Sequence, residues 1–152
     1  MEKNKPVFHQ NRKIAHLLAH HINNTGKYMN RVLQQKLLNA GHRLTSEQWV
    51  VLVCLFDRDG QTPTEICEAT LKDKPGITRI LKNMERNKLV INVDNPEDRR
   101  SKRVFLTKSV KKIEKQLLDI AAETERQCCN GISEGELEQC RMVLNKIMNN
   151  PE

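Results

Sequence analysis

The sequence predicts a mainly α fold carrying one small β-hairpin, and three features predict it. Apolar residues recur at three-and-four spacing through most of the chain, which is the spacing of one helix face. Residues 89–106 break that period and are rich in β-branched and aromatic residues on either side of a polar loop. Glycines and short polar capping residues fall between the periodic stretches. At 152 residues the chain has the size of one domain, expected to run over 1–152.

The first helix is expected from Phe8 to Ala40. Ile14, Leu17, Leu18, His21 and Ile22, then Tyr28, Met29, Val32, Leu33 and Leu37, share one face, so His21 is expected to pack among apolar neighbours. Gly26 marks a weak point in this helix, and Gly41 ends it as a left-handed cap. Thr45 or Ser46 can cap the next helix, and Thr45 with Gln48 fits a capping box. Its buried face is expected to be Trp49, Leu52, Val53 and Phe56, and Asp59-Gly60 stops it. Thr62-Pro63 opens a short third helix, Thr64 to Ala69, with Ile66 and Cys67 inward. Asp73 is the expected cap of Lys74 to Asn87, where Ile77, Ile80, Leu81 and Met84 point inward and Arg79, Lys82, Asn83 and Arg86 outward.

The period then changes. Leu89 to Val93 and Arg103 to Leu106 read as two strands joined by the polar loop Asp94 to Lys102. Helical spacing returns with Val110, Ile113, Leu117, Ile120, Ala121, Thr124 and Cys128, and Asn130-Gly131 breaks it. Ser133 with Glu136 forms a second capping box before a last stripe of Leu137, Cys140, Leu144, Ile147 and Met148.

Composition narrows the function. With 26 Lys+Arg against 19 Asp+Glu the net charge is +7, which favours polyanions such as nucleic acid or an anionic membrane face. No apolar run approaches the ~18 residues that a membrane helix needs. Met1 to His9 lacks the apolar core of a secretion leader, so a cytoplasmic protein is expected. The five cysteines are odd in number and lack C-x-x-C spacing, which argues against a disulfide framework or a thiol-rich zinc site. His16 and His20 stand four apart, a spacing that can hold a metal, but no carboxylate shares their face and no metal site is assigned. Neither a G-x-S-x-G, a P-loop, an H-E-x-x-H nor a dinucleotide fingerprint is present. No catalytic residue and no cofactor are therefore assigned, and the chain is not expected to be an enzyme.

The order helix, helix, basic helix, hairpin with a basic tip, between about Thr45 and Thr107, is the layout of a winged helix-turn-helix. The major groove, about 12 Å wide, admits one helix, which needs an apolar face for its support and donors on the other face. Lys74 to Arg86 meets both demands. The tip carries Arg99, Arg100, Lys102 and Arg103 within five positions, and arginine on such a tip can enter the minor groove.

At these residues the sequence resembles the MarR (multiple antibiotic resistance regulator) family. The matching stretches are Leu44-Thr45-Ser46-Glu47-Gln48-Trp49, Pro75-Gly76-Ile77-Thr78-Arg79-Ile80-Leu81 with Met84-Glu85, Leu89-Val90, Asp94-Asn95-Pro96-Glu97-Asp98-Arg99-Arg100, and Val104-Phe105-Leu106-Thr107. The resemblance implies a homodimer whose terminal helices, residues 8–41 and 108–149, interlock while two winged units, residues 44–107, read successive major grooves of a pseudo-palindromic promoter operator. It implies DNA contacts at Pro75, Gly76, Thr78, Arg79 and Lys82 on the reading helix, where the basic Lys74 is read as a further contact, and at Asp98, Arg99 and Arg100 on the wing, with Asp98 orienting a neighbouring arginine. It also implies a ligand-released repressor with a small-molecule effector pocket, here lined by Leu17, His20, Trp49 and Val53. The family glycine before the first wing strand is replaced by Lys88, so Asn87 is expected to take the left-handed cap instead. Asn92 replaces a family arginine after Leu89-Val90, and Val110 replaces a family glycine after Leu106-Thr107.

Dimerisation also follows without the family. The terminal helices carry long apolar stripes outside the winged unit, and a monomer rarely tolerates so large an exposed patch. A twofold partner would cover them. Two alternatives accompany this reading: a thiol-based redox sensor acting through Cys128 or Cys129, and a protein-interaction module that keeps the fold without binding DNA.

Overall fold

The computed structural model describes residues 17–98 and 100–150. The expected helical residues Phe8 to His16 lie outside this range. The described residues form six helices and one hairpin: α1 (Leu18–Asn39), α2 (Ser46–Asp57), α3 (Pro63–Thr70), α4 (Lys74–Arg86), β1 (Val90–Asp94), β2 (Lys102–Leu106), α5 (Lys108–Cys128) and α6 (Glu134–Met148). The mainly helical class with one small hairpin is as the sequence predicts.

Local chemistry explains most boundaries. Thr45, Thr62 and Ser133 each accept a backbone N–H from the residue three ahead, which returns its side chain to the cap: Gln48, Glu65 and Glu136 close three capping boxes. Gly41 closes α1 at φ +87° and Gly131 follows α5 at φ +86°, conformations that favour glycine. Gly26 does not interrupt α1, whose ladder runs unbroken through it. Asp73 stands at the N-cap of α4 but its carboxylate makes no capping bond. The left-handed residue after α4 is Lys88 at φ +57°, not Asn87, which stays at φ −84°. The left-handed cap thus falls on a residue with a side chain and carries the strain of it.

The core gathers Leu33 and Leu37 of α1, Val51, Leu52 and Leu55 of α2, Ile66 of α3, Ile77, Ile80, Leu81 and Met84 of α4, Val90, Val104 and Leu106 of the hairpin, and Val110 and Leu117 of α5. All four inward residues expected on α4 are buried. On α2 Trp49 and Leu52 are buried as expected, but Val51 and Leu55 join them, Phe56 is only partly covered, and Val53 is 41% exposed. The cause is that α2 packs on α3, α4 and β2 together, which selects a different stripe from the one a single supporting layer would cover. His21 is likewise exposed, its ring meeting His20 edge-on with centroids 6.3 Å apart.

The hairpin is antiparallel with Val90 opposite Leu106 and Asn92 opposite Val104. It is fastened to the body through the α2–α3 loop. Gly60 N–H donates to the Val104 carbonyl at 3.1 Å, and Val104 N–H donates to the Gln61 carbonyl at 2.8 Å. The Asp59 carboxylate accepts Leu106 N–H at 2.8 Å and pairs with Lys111 at 2.6 Å, tying loop, strand and α5 together. Gly60 is required twice over: its φ is +77°, and a Cβ would lie 2.5 Å from Phe105 Cε1.

α1 packs along α5. α6 has no buried residue; Leu137 and Leu144 are partly covered, while Met142, Val143, Ile147 and Met148 stay exposed. Arg141 joins α6 to α5 by donating to Glu125 at 2.8 Å.

Candidate nucleic-acid interface

α4 is amphipathic for the reason its sequence suggests. Four apolar side chains seat one face on α2, α3 and β1, which leaves the polar residues between them on the opposite face. Lys74, Pro75, Thr78, Arg79, Lys82, Asn83 and Arg86 line a shallow concavity of about 680 Å³ along that face. It therefore unites five of the six reading-helix positions expected from the sequence. The sixth, Gly76, is half-buried in the first turn, where a Cβ would lie 2.5 Å from Asp73 Oδ1.

The cations of this face are not equivalent. Lys74, Lys82 and Arg86 are exposed and make no ion pair among the described residues. Arg79 Nη2 donates to Glu47 Oε1 at 3.3 Å, and Lys72 Nζ lies 3.9 Å from the same oxygen. Asn83 is less outward than expected. Its Oδ1 accepts from Gln48 Nε2 at 2.7 Å and from Asn87 Nδ2 at 3.0 Å. Gln48 is 3% exposed and serves both the α2 cap and this brace, so one buried amide ties the start of α2 to α4. The Thr45–Gln48 spacing signals the cap, but nothing in the sequence signals the partner 35 residues away.

The wing tip is built around Asn95, which is 6% exposed. Its Nδ2 donates to Ser101 Oγ at 2.9 Å, and its Oδ1 accepts from Glu97 N–H and Arg103 Nε, both at 3.2 Å. The Asp98 carboxylate accepts the backbone N–H of Arg100 at 2.9 Å, so it orients Arg100 through the main chain. Arg100 is exposed and without an ion pair among the described residues. Arg99 lies outside the described residues. Arg103, which the sequence places among the tip cations, is a structural brace: it donates to the Gly60 carbonyl at 3.1 Å and pairs with Glu97 at 2.8 Å.

Of the residues expected to line an effector pocket, Trp49 and Val53 share a groove of about 730 Å³ with Asn30, Cys54, Arg58 and Glu68. Leu17 and His20 do not line it. His20 Nε2 instead meets Asn24 Nδ2 at 2.8 Å. Burial pushes the Cys54 thiol above its ordinary value, and burial next to Cys129 does the same to Cys128. That is the direction opposite to the one a reactive thiol needs.

A model of the MarR family matches residues 44–102, which span α2 through the start of β2. Over these residues the chain is similar to the MarR family. The transcriptional regulator HosA of Escherichia coli O111:H- is 26% identical over 124 residues, covering 80% of this chain and 92% of that one. BpsR of Bordetella bronchiseptica, a protein whose DNA binding is regulated by 6-hydroxynicotinic acid, superposes with a TM-score of 0.80 at 20% identity, covering 92% of this chain and 99% of that one. A cysteine-to-serine mutant of E. coli MarR, solved with operator DNA, gives a TM-score of 0.77 at 22% identity, covering 86% and 92% of the two chains. The chain is accordingly similar to a transcriptional regulator over most of its length. Among the described residues no helix is long and apolar enough to cross a membrane.

Proposed function

We propose that the protein is a homodimeric repressor that binds a pseudo-palindromic promoter operator and is released by a small-molecule effector. In this reading α4 lies in the major groove, where Lys74, Pro75, Gly76, Thr78 and Arg79 face base edges and Lys82 a phosphate. Asp98 sets the wing so that Arg99 or Arg100 enters the minor groove. The observation that carries the reading is the outer face of α4: a row of basic and polar side chains on a helix whose other face is fully committed to the core.

The pairing of two subunits rests on the terminal helices. No residue of α6 is buried, and Leu18 and Ile22 at the start of α1 are exposed as well. A twofold partner on residues 8–41 and 108–149 removes this apolar surface from water. It also sets two copies of α4 roughly 34–36 Å apart, one turn of DNA. The effector site is the groove at Trp49 and Val53, completed by Leu17 and His20 only if another subunit brings them there. An effector seated there releases DNA by binding better to the conformer whose two α4 helices are wrongly spaced. The E. coli MarR relative bound to operator DNA and the BpsR relative regulated by 6-hydroxynicotinic acid support both halves of this reading.

The test is fluorescence anisotropy of the purified protein against sheared genomic fragments, with sedimentation to give its mass. The reading requires a dimer that retains a small subset of fragments at moderate salt. A monomer, or a dimer that ignores all duplex at low ionic strength, refutes it.

A further inference from the structure

Glu47 is a carboxylate placed among the cations of the α4 face, and DNA binding in the sense proposed above gives it no evident task. It stands in the first turn of α2, exposed, with Arg79 Nη2 at 3.3 Å and Lys72 Nζ at 3.9 Å from one of its oxygens. Helix-end electrostatics accounts for an acid in this turn. It does not account for an acid that reaches across to α4 and holds the one guanidinium among the residues expected to meet base edges. An acidic side chain at such a place repels phosphate and so weakens any contact with the backbone, whatever the sequence of the DNA. The same contact fixes a long, flexible side chain that would otherwise have to be ordered on binding.

We infer that Glu47 is a specificity-determining positioning residue: it holds Arg79 in the orientation used to read a base edge and at the same time lowers affinity for DNA of the wrong sequence. Glu47 acts through Arg79 and touches no base. Lys72 shares the carboxylate and keeps it on this side of α2. On operator DNA the guanidinium exchanges part of the Glu47 contact for the two acceptors of a guanine edge, a geometry that arginine matches. On other DNA no such acceptors stand in place, Glu47 keeps Arg79, and only its repulsion of the backbone remains. The inference rests on the proposed DNA-binding role of α4.

The experiment uses the full-length protein and two 30-base-pair duplexes, the tightest one selected from a randomised pool and one of mixed sequence. Glu47→Gln retains the size of the side chain and one acceptor oxygen for Arg79 but not its charge, and a thermal melt confirms that the variant folds. The mixed-sequence duplex should bind roughly fivefold tighter, with a salt slope steeper by about one counterion, while the selected duplex gains nothing. The ratio of the two affinities should therefore fall by at least about fivefold. In an Arg79→Ala background the same Glu47→Gln change should leave that ratio unaltered, because the residue being positioned is gone. Equal tightening on both duplexes, or a ratio that still falls without Arg79, overturns the inference and leaves the role of α4 intact. Failure of the wild-type protein to select any duplex overturns the role of α4 itself.

Discussion

Removing the Arg103 guanidinium should loosen the wing without unfolding the protein. Arg103→Ala deletes the donor to the Gly60 carbonyl at 3.1 Å, one of the two donors to Asn95 Oδ1, and the pair with Glu97 at 2.8 Å. Asn95 keeps Glu97 N–H and Ser101 Oγ, so its amide stays satisfied. Gly60 is buried and its carbonyl is left without this partner, which costs about 1–3 kcal/mol. The Glu97 carboxylate is 78% exposed, so that pair contributes at most about 1 kcal/mol. The sum is about 1–4 kcal/mol, and it falls on the tip, because the attachments at Gly60, Gln61 and Asp59 hold the base of β2 independently. Hydrogen exchange should then accelerate at Asn95 and Ser101, the amides that close the tip, and leave α2 and α4 unchanged. Operator affinity should drop about tenfold, the equivalent of ordering the tip anew at about 1.4 kcal/mol. Arg103→Lys separates bracing from charge, since lysine keeps the charge but lacks the fork that spans three acceptors. Full affinity in the lysine variant, or unaltered exchange in the alanine variant, would refute the bracing argument.

Three further outcomes follow from the same geometry. Arg99→Ala with Arg100→Ala should weaken duplex binding and flatten its salt dependence by about one unit for each phosphate no longer neutralised, read from anisotropy over a salt series. Gly60→Ala should destabilise the chain by about 2–4 kcal/mol in urea, against about 1 kcal/mol for Gly41→Ala, because both residues are left-handed but only at Gly60 does a Cβ meet a ring. The Glu65 carboxyl is held down to about 2 by the Thr62 backbone N–H and by Arg58. A carboxyl with a lowered folded-state value stabilises above the ordinary carboxylate range and loses that contribution as pH falls toward its own value. Glu65→Gln should therefore be less stable at neutral pH and lose less between about pH 5 and pH 2, as followed by acid denaturation.

Much of this architecture is readable from the sequence because it is local. Cap chemistry places the starts of α2, α3 and α6 to within a residue or two, and the change of period places the hairpin. The inward face of α4 is legible for the same reason: a helix with one apolar stripe has one way to sit. Where three elements meet, the pattern runs out. α2 carries apolar residues on most sides, and only its packing on α3, α4 and β2 decides that Val51 is buried and Val53 is not. Spacing alone puts His21 inward, yet at that end of α1 the described residues leave its ring exposed. The sorting of the basic residues is equally hidden. Arg79, Lys82, Arg100 and Arg103 look alike in the sequence, and acceptors at Glu47, Gly60 and Glu97 set Arg79 and Arg103 apart from the other two. Lys88 shows the opposite failure, a left-handed lysine where asparagine next to it is the better conformational candidate. The Leu89 N–H bond to the Met84 carbonyl and the Thr107 hydroxyl on the Lys88 carbonyl fix the turn there.

The central claim is that the outward side of α4 lies in the major groove, and hydroxyl-radical footprinting on the duplex selected from a randomised pool tests it most directly. Two protected patches on one face of the helix, about one turn apart, are predicted, with Lys82→Ala thinning both patches equally. A single patch, protection that ignores substitutions on α4, or no protection at low salt would contradict it.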